Sequence, residues 1–155
     1  MKKNFIIDFD STFIKVETLD VLAEVSRASD SDFKSKLDKI QEITNVCMGG
    51  GMSFRESLSA RVKILNANKK HFPELIEKLK TQVSNSFGTN ADFLKNYKDN
   101  IYIISSGFKA CIVPVVAEYG IDESHVFANE FLFDSDGNII GFDESNPLSA
   151  DNGKV

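Results

Sequence analysis

Two aspartates spaced two apart, Asp8 and Asp10, directly follow a short apolar run, Phe5-Ile6-Ile7, near the start of a 155-residue chain. On an extended strand residues at that spacing point the same way. Two carboxylates at one strand end repel and are costly unless a cation joins them. Mg2+ is the natural candidate, a hard ion held by one or two carboxylates together with substrate phosphate. Asp8 is then placed to act as a nucleophile and form an aspartyl-phosphate. Asp10 can protonate the leaving oxygen and later deprotonate water, and Thr12 can fix the loop by a local hydrogen bond. The same acids also suit a plainer role, an acidic turn that caps the following helix.

Four further features could face this pair. Ser105-Ser106-Gly107-Phe108 follows a second apolar run, Ile101 to Ile104. A hydroxyl with free backbone N–H groups at a helix N-terminus makes an anion site, although a serine cap reads the same way. Arg61 lies seven residues after Phe54, on the same helix face as Phe54 and Leu58. An arginine on an apolar stripe either snorkels outward or clamps a carboxylate with its two-pronged head. Glu17 could meet an ammonium group or simply sit in a helix's first turn. Lys154, after Gly153, could reach phosphate charge, a weak signal by itself.

Positioning these groups requires a particular order of elements. Phe5 to Phe9 is β-rich and unalternating, as in a buried parallel strand. Helical stripes follow at Leu19, Leu22, Ala23 and Ser26; at Phe33, Leu37, Ile40, Ile43 and Cys47; at Phe54, Leu58, Val62 and Leu65; and at Phe72, Leu75, Ile76, Leu79 and Val83, with Pro73 in the first turn of the last. A short helix from Ala91 to Tyr97 leads to the strand at Ile101–Ser105, then a helix from Lys109 to Glu118 strained by Pro114 and ended by Gly120. A strand at Val126–Ala128 and a hairpin at Glu130–Phe133 and Asn138–Phe142, around Asp134-Ser135-Asp136-Gly137, complete the pattern. Strand, helical insertion, strand, helix, strand reads as α/β with a parallel sheet, whose ligands bind beyond the strands' carboxyl ends. That places the chemistry just after Phe9 and just after Ile104.

The composition, 42% hydrophobic and 26% charged, suits a folded domain with its own core. A net charge of −5 argues against nucleic acid or an anionic membrane as partner. Residues 31–80 nonetheless carry an excess of Lys and Arg over an otherwise acidic chain, either solvated helix faces or a positive lid above an acidic floor. Cys47 and Cys111 form no disulfide framework or zinc spacing and read as small core residues. Only three apolar residues separate Met1-Lys2-Lys3-Asn4 from Asp8, too few for a signal peptide, and no run is long enough to span a membrane. A cytoplasmic setting is expected; the sequence assigns no oligomeric state.

Taken in order, these motifs resemble the phosphoserine phosphatases of the haloacid dehalogenase superfamily. Asp8-Phe9-Asp10-Ser11-Thr12 with Glu17 is similar to their first motif, and Ser105-Ser106-Gly107-Phe108 to their second. Met48 with Ser53-Phe54-Arg55-Glu56-Ser57-Leu58 and Arg61-Val62 looks like their cap segment, and Ala128-Asn129-Glu130-Phe131 through Gly153-Lys154 like the run into the third motif. The resemblance implies a Rossmann-like core, residues 1–16 and 88–155, with an all-helical cap inserted at 17–87. It implies Asp8 as nucleophile and Mg2+ ligand. Asp10 would be the acid/base and give its backbone oxygen to the metal. Ser105, Ser106, Gly107 and Lys154 would lie about the phosphoryl group, Glu17 at a substrate amino group and Arg61 at its carboxylate, with Met48 and Phe54 closing over.

Ser106 stands where that family usually has Gly, which is tolerable if φ there is not positive. The chain stops one residue after Lys154, before the family's Gly-Asp-x-x-x-Asp metal motif. That implies an incomplete core, with its C-terminal part missing and the first strand left as an apolar edge. The expected activity is Mg2+-dependent hydrolysis of O-phospho-L-serine, with Asp10 raised in pKa by neighbouring carboxylates. The alternatives are a phosphotransferase, a phosphatase for another small phosphomonoester, or a non-catalytic domain on this fold. A phospho-acceptor receiver domain fits less well, because adjacent acids and no large helical insertion would be expected.

Overall fold

The computed structural model describes residues 3–26 and 32–154. Met1, Lys2 and Val155, on which part of the reading of the two chain ends rested, lie outside the described residues, as does the side chain of Phe33.

Three parallel strands form the sheet, in the order β1 (Phe5–Ile7), β2 (Ile101–Phe108), β3 (Val126–Asn129). Phe5 stands opposite Ile101 and Ile103 opposite Val126. Between β1 and β2 come α1 (Thr18–Val25), α2 (Phe33–Met48), α3 (Phe54–Leu65), α4 (Phe72–Thr81), α5 (Asn85–Thr89) and α6 (Ala91–Asn96). After β2 comes α7 (Lys109–Val116), and after β3 an antiparallel hairpin of β4 (Phe131–Phe133) and β5 (Ile139–Phe142). The resulting Rossmann-like α/β arrangement, a parallel sheet with helices inserted after its first strand, is the expected fold class.

Local chemistry explains these elements. Ser53 and Glu56 form a reciprocal capping box at the start of α3, Ser53 Oγ accepting from Glu56 N at 3.2 Å and Glu56 Oε2 from Ser53 N at 3.1 Å, an arrangement worth about 1 kcal/mol. Asn66, left-handed at φ 45°, ends α3. Pro73 sits in the first turn of α4 as expected. Helix α7 is apolar on nearly every side and correspondingly buried at Cys111, Ile112, Val115 and Val116. It stops at Val116, sooner than expected. Pro114 removes a main-chain donor, and Ala117–Tyr119 winds as a 3-10 turn closed by Gly120 at φ 79°.

One core joins the layers. Phe9, Phe13, Ile14, Leu22, Leu75, Leu79, Ile101, Ile103 and Phe108 are all fully buried, each side chain contributing roughly 1.5–3 kcal/mol at most. Phe13 stacks on Phe87 of α5 at 4.8 Å, and Phe108 on Phe131 at 3.6 Å.

Four expectations need correction. β1 ends at Ile7, not Phe9, and is not buried on both faces: it forms the apolar sheet edge that the motif order anticipated, with Ile6 70% exposed. β2 continues through the serines to Phe108, with its pairing to β3 slipping between Ile104 and Phe108. Cys47 is half-buried, not a core residue, because the C-terminal half of α2 lacks cover: Val46 is exposed and Met48 is 84% exposed. α5 was missed, since Asn85-Ser86-Phe87-Gly88-Thr89 offers a single apolar anchor and no stripe. Among the described residues no helix is long and apolar enough to cross a membrane.

Candidate active site

Where β1 ends the chain folds into a tight turn. Ile14 N donates to Phe9 O at 3.1 Å and Ser11 N to Val16 O at 3.2 Å. Ser11 is forced to φ 54°, a left-handed conformation unusual for a residue with a side chain. Its hydroxyl donates to Glu17 Oε1 at 2.6 Å, which pins the strained residue. Ser11 therefore fixes this loop. Thr12 does not: it is exposed, and its carbonyl accepts from Ser84 Oγ. The turn also corrects the reason for pairing the acids. Asp8 and Asp10 line one cavity because the backbone folds back after Ile7, not through strand alternation.

Asp8 Oδ1 accepts from Phe9 N at 2.8 Å, and Asp8 Oδ2 accepts from Lys154 Nζ at 2.7 Å across the whole chain. Asp10 Oδ1 accepts from the main-chain N–H of Thr18 at 3.0 Å and, more closely, from the Thr18 hydroxyl. Asp10 thus caps α1, while Glu17, the residue at the cap position, makes no capping bond. Burial pushes the Asp10 carboxyl up to about 6; the Thr18 hydroxyl opposes this, and the charges of Glu17 and Asp8 add to it. The shift was expected from the neighbouring acids, but desolvation is its main cause. Thr18 itself escaped the sequence reading; its signal was a hydroxyl at the first helical position after the acidic turn.

The second strand supplies Ser105, 1% exposed, whose Oγ accepts from Gly107 N at 2.9 Å. That N–H is therefore already engaged, contrary to the expectation of free donors, and Phe108, not Ser105, precedes α7. Ser106 has no positive φ, so its side chain causes no backbone strain. Its carbonyl accepts from Nδ2 of the buried Asn129 at 2.9 Å. A Cβ on Gly107 would stand 3.0 Å from Asp10 Oδ2 and 3.1 Å from Ser105 Oγ. The missing side chain is what lets β2 approach the aspartates this closely.

Helix α3 supplies the other wall. Arg61 is 9% exposed, and its Nε donates to Ser57 O at a long 3.4 Å. Among the described residues no carboxylate forms an ion pair with it. Burial lowers its pKa, only partly opposed by Glu17, Cys47, Asp20 and Asp10. The snorkelling alternative is therefore not what this arginine does. One cavity of about 250 Å³ is lined by Asp8, Asp10, Glu17, Met48, Phe54, Arg61, Ser105, Ser106, Gly107 and Lys154, all ten residues expected from the sequence. Thr18, Leu19, Leu58 and Phe108 line it as well and were not anticipated. The cavity carries acids at its β1 end and cations from α3 and the C-terminal segment, a polarity suited to a small ligand bearing both signs of charge.

No family model matches the chain. It is 33% identical over 148 residues to a phosphoserine phosphatase of Drosophila melanogaster, covering 96% of this chain and 52% of that protein. It is 33% identical to a chloroplastic phosphoserine phosphatase of Arabidopsis thaliana, covering 96% of this chain and 48% of that one. The chain thus spans about half the length of these relatives. The crystal structure of a phosphoserine phosphohydrolase-like protein from Francisella tularensis superposes with a TM-score of 0.81 at 31% identity, over 98% of this chain and 69% of the other. Because that similarity in sequence and fold runs through nearly all of the chain and over two thirds of a solved relative, the chain belongs to the phosphoserine phosphatase-like family of the haloacid dehalogenase superfamily.

Proposed function

We propose that this chain is a Mg2+-dependent phosphomonoester hydrolase that takes O-phospho-L-serine as substrate in a single site for phosphate and amino acid. The observation that carries the proposal is the buried Arg61, a cation without an ion-pair partner among the described residues, across one small cavity from the Asp8–Lys154 pair. A phosphoamino acid answers both needs, its carboxylate to Arg61 and its phosphate to Lys154. Glu17 completes the match by meeting the ammonium group. The cavity's size favours such a small molecule over a phosphopeptide.

In this reading an Asp8 carboxylate oxygen attacks phosphorus, and the bond from phosphorus to the serine oxygen breaks. Asp10, whose raised pKa suits proton transfer near neutrality, gives its proton to that leaving oxygen. A water then loses a proton to Asp10 and attacks the aspartyl-phosphate, releasing phosphate and restoring Asp8. Ser105, Ser106 and Lys154 hold the phosphoryl oxygens, and Gly107, whose N–H is spent on Ser105 Oγ, leaves room for them. Residues 17–87 act as the cap, with Met48 and Phe54 closing over the substrate and excluding water.

The donor set fits Mg2+: the Asp8 carboxylate and the Asp10 main-chain carbonyl are hard oxygen donors, and this ion takes its other ligands from water and phosphate. Among the described residues no further acid, histidine or cysteine joins them in a three-ligand cluster. When bound, the ion neutralises charge on the phosphoryl group.

The test is phosphate release from O-phospho-L-serine by the full chain with Mg2+, together with acid-quench trapping of a hydroxylamine-labile phosphoprotein. Release and trapping in the wild type, both lost in Asp8→Asn, are expected. Full activity of Asp8→Asn, or no turnover of phosphoserine, overturns the reading.

A further inference from the structure

Arg55, next to Phe54 on α3, faces away from the cavity chemistry yet makes a concentrated set of long-range bonds. Its Nη2 donates to the Glu144 carbonyl and to Ser149 Oγ, both at 3.1 Å. Its Nε donates to the Ser149 carbonyl at 3.4 Å, and its main-chain N–H to Asp151 Oδ1 at 3.1 Å. All of these acceptors lie on the segment that runs from β5 to Lys154. Ser149 is fully buried, and Asn129 Nδ2 holds the neighbouring Leu148 carbonyl at 3.1 Å. Further along, Gly153 lies flat against the same segment: a Cβ there would fall 2.2 Å from the Pro147 carbonyl oxygen, a contact no side chain can occupy. The segment is thus tied down up to the residue before Lys154, whose ammonium meets Asp8.

The geometry points to Arg55 as a positioning residue: by bonding the C-terminal segment to α3, it sets Lys154 against Asp8 in register with the helix that carries Phe54 and Arg61. The inference rests on the phosphatase reading for its kinetic consequence, not for its structural one. A guanidinium is suited to the task because its planar fork serves several oxygens at once, whereas a lysine ammonium reaches fewer in fixed geometry. Arg55 touches none of the reacting groups; it acts through the segment. Its loss lets the two walls of the cavity shift relative to each other, and misplacement on the ångström scale is expensive for a clamped substrate.

Two readouts in the full chain test this. Acylation of Lys154 at one fixed pH, quantified by mass spectrometry against the exposed Lys63, should run about threefold faster in Arg55→Ala, the size expected for release of a half-exposed ion pair. The KM for phosphoserine should rise about tenfold with kcat changed much less, and Arg55→Lys should fall between wild type and Arg55→Ala in both. Should Arg55→Ala fail to fold, Ser149→Ala, which removes one acceptor, carries the same test with smaller effects. An unchanged Lys154 acylation rate in a folded variant overturns the inference, as does a loss confined to kcat. Absence of phosphoserine turnover in the wild type refutes the phosphatase reading instead and leaves the acylation result to judge Arg55.

Discussion

Replacing Arg61 by methionine should move stability and activity in opposite directions. Arg61 is 9% exposed, has among the described residues a single long hydrogen bond, to Ser57 O, and suffers a desolvation that the acids around it do not repay. Methionine fills a similar volume without charge. Exchanging an incompletely compensated buried charge for a packed apolar side chain should stabilise the free protein by about 1–2 kcal/mol. At about 2 kcal/mol per molar urea, the unfolding midpoint should rise by roughly 0.5–1 M. The same change deletes the clamp on the substrate carboxylate, a charge-assisted bond worth about 1.5–3 kcal/mol, so kcat/KM for phosphoserine should fall roughly 10- to 100-fold. With p-nitrophenyl phosphate, which has no carboxylate, the fall should be less than about threefold. Urea melts of the ligand-free protein and paired kinetics with the two substrates are sufficient. A lower midpoint in Arg61→Met would show that the arginine is already satisfied without a ligand, and equal losses for both substrates would show that it does not read the carboxylate.

Other perturbations have equally definite outcomes. Asp10→Asn should slow both the formation and the breakdown of the trapped phosphoprotein, because one carboxyl serves both proton transfers; unaltered rates in rapid-quench experiments count against that role. Asp10 holds its proton to about pH 6 in the folded state, against 3.8 for the ordinary group. Between those values the native protein binds more protons than the unfolded chain, so stability should fall as pH rises from about 4 to 6. In chelator, urea midpoints measured across that range should show this decline in the wild type and lose that component in Asp10→Asn. Gly107→Ala puts a methyl 3.0 Å from Asp10 Oδ2, and turnover should drop about tenfold or more while the fold, followed by circular dichroism, persists.

The parts of the site that were legible were those where residue type alone limits the options. Two acids after Phe5-Ile6-Ile7, a buried-face arginine seven residues beyond Phe54, and serines after a second apolar strand each admit few uses. What escaped depends on contacts between distant or neighbouring parts. Ser11 adopts φ 54° because Glu17 and Val16 hold it there, and no propensity of Asp-Ser-Thr announces that turn. Its consequence, acids brought together by a fold-back, was legible only as the wrong geometry. Gly107 N–H looked free because the sequence does not show the Ser105 hydroxyl folding over it. Cys47 kept its place in a correct helical stripe, but periodicity says which face is apolar, not how far along that face cover extends. Lys154 carried little signal, since its meeting with Asp8 is decided by the bonding of residues 144–153.

The carboxylate that shuttles protons in the proposed reaction is also the one that anchors the first turn of α1, through Thr18. Each protonation event therefore alters the strength of a joint between the sheet and the inserted helices. Evolution cannot adjust this acid for speed without also loosening or tightening that joint, so turnover and mechanical integrity are yoked through a single side chain.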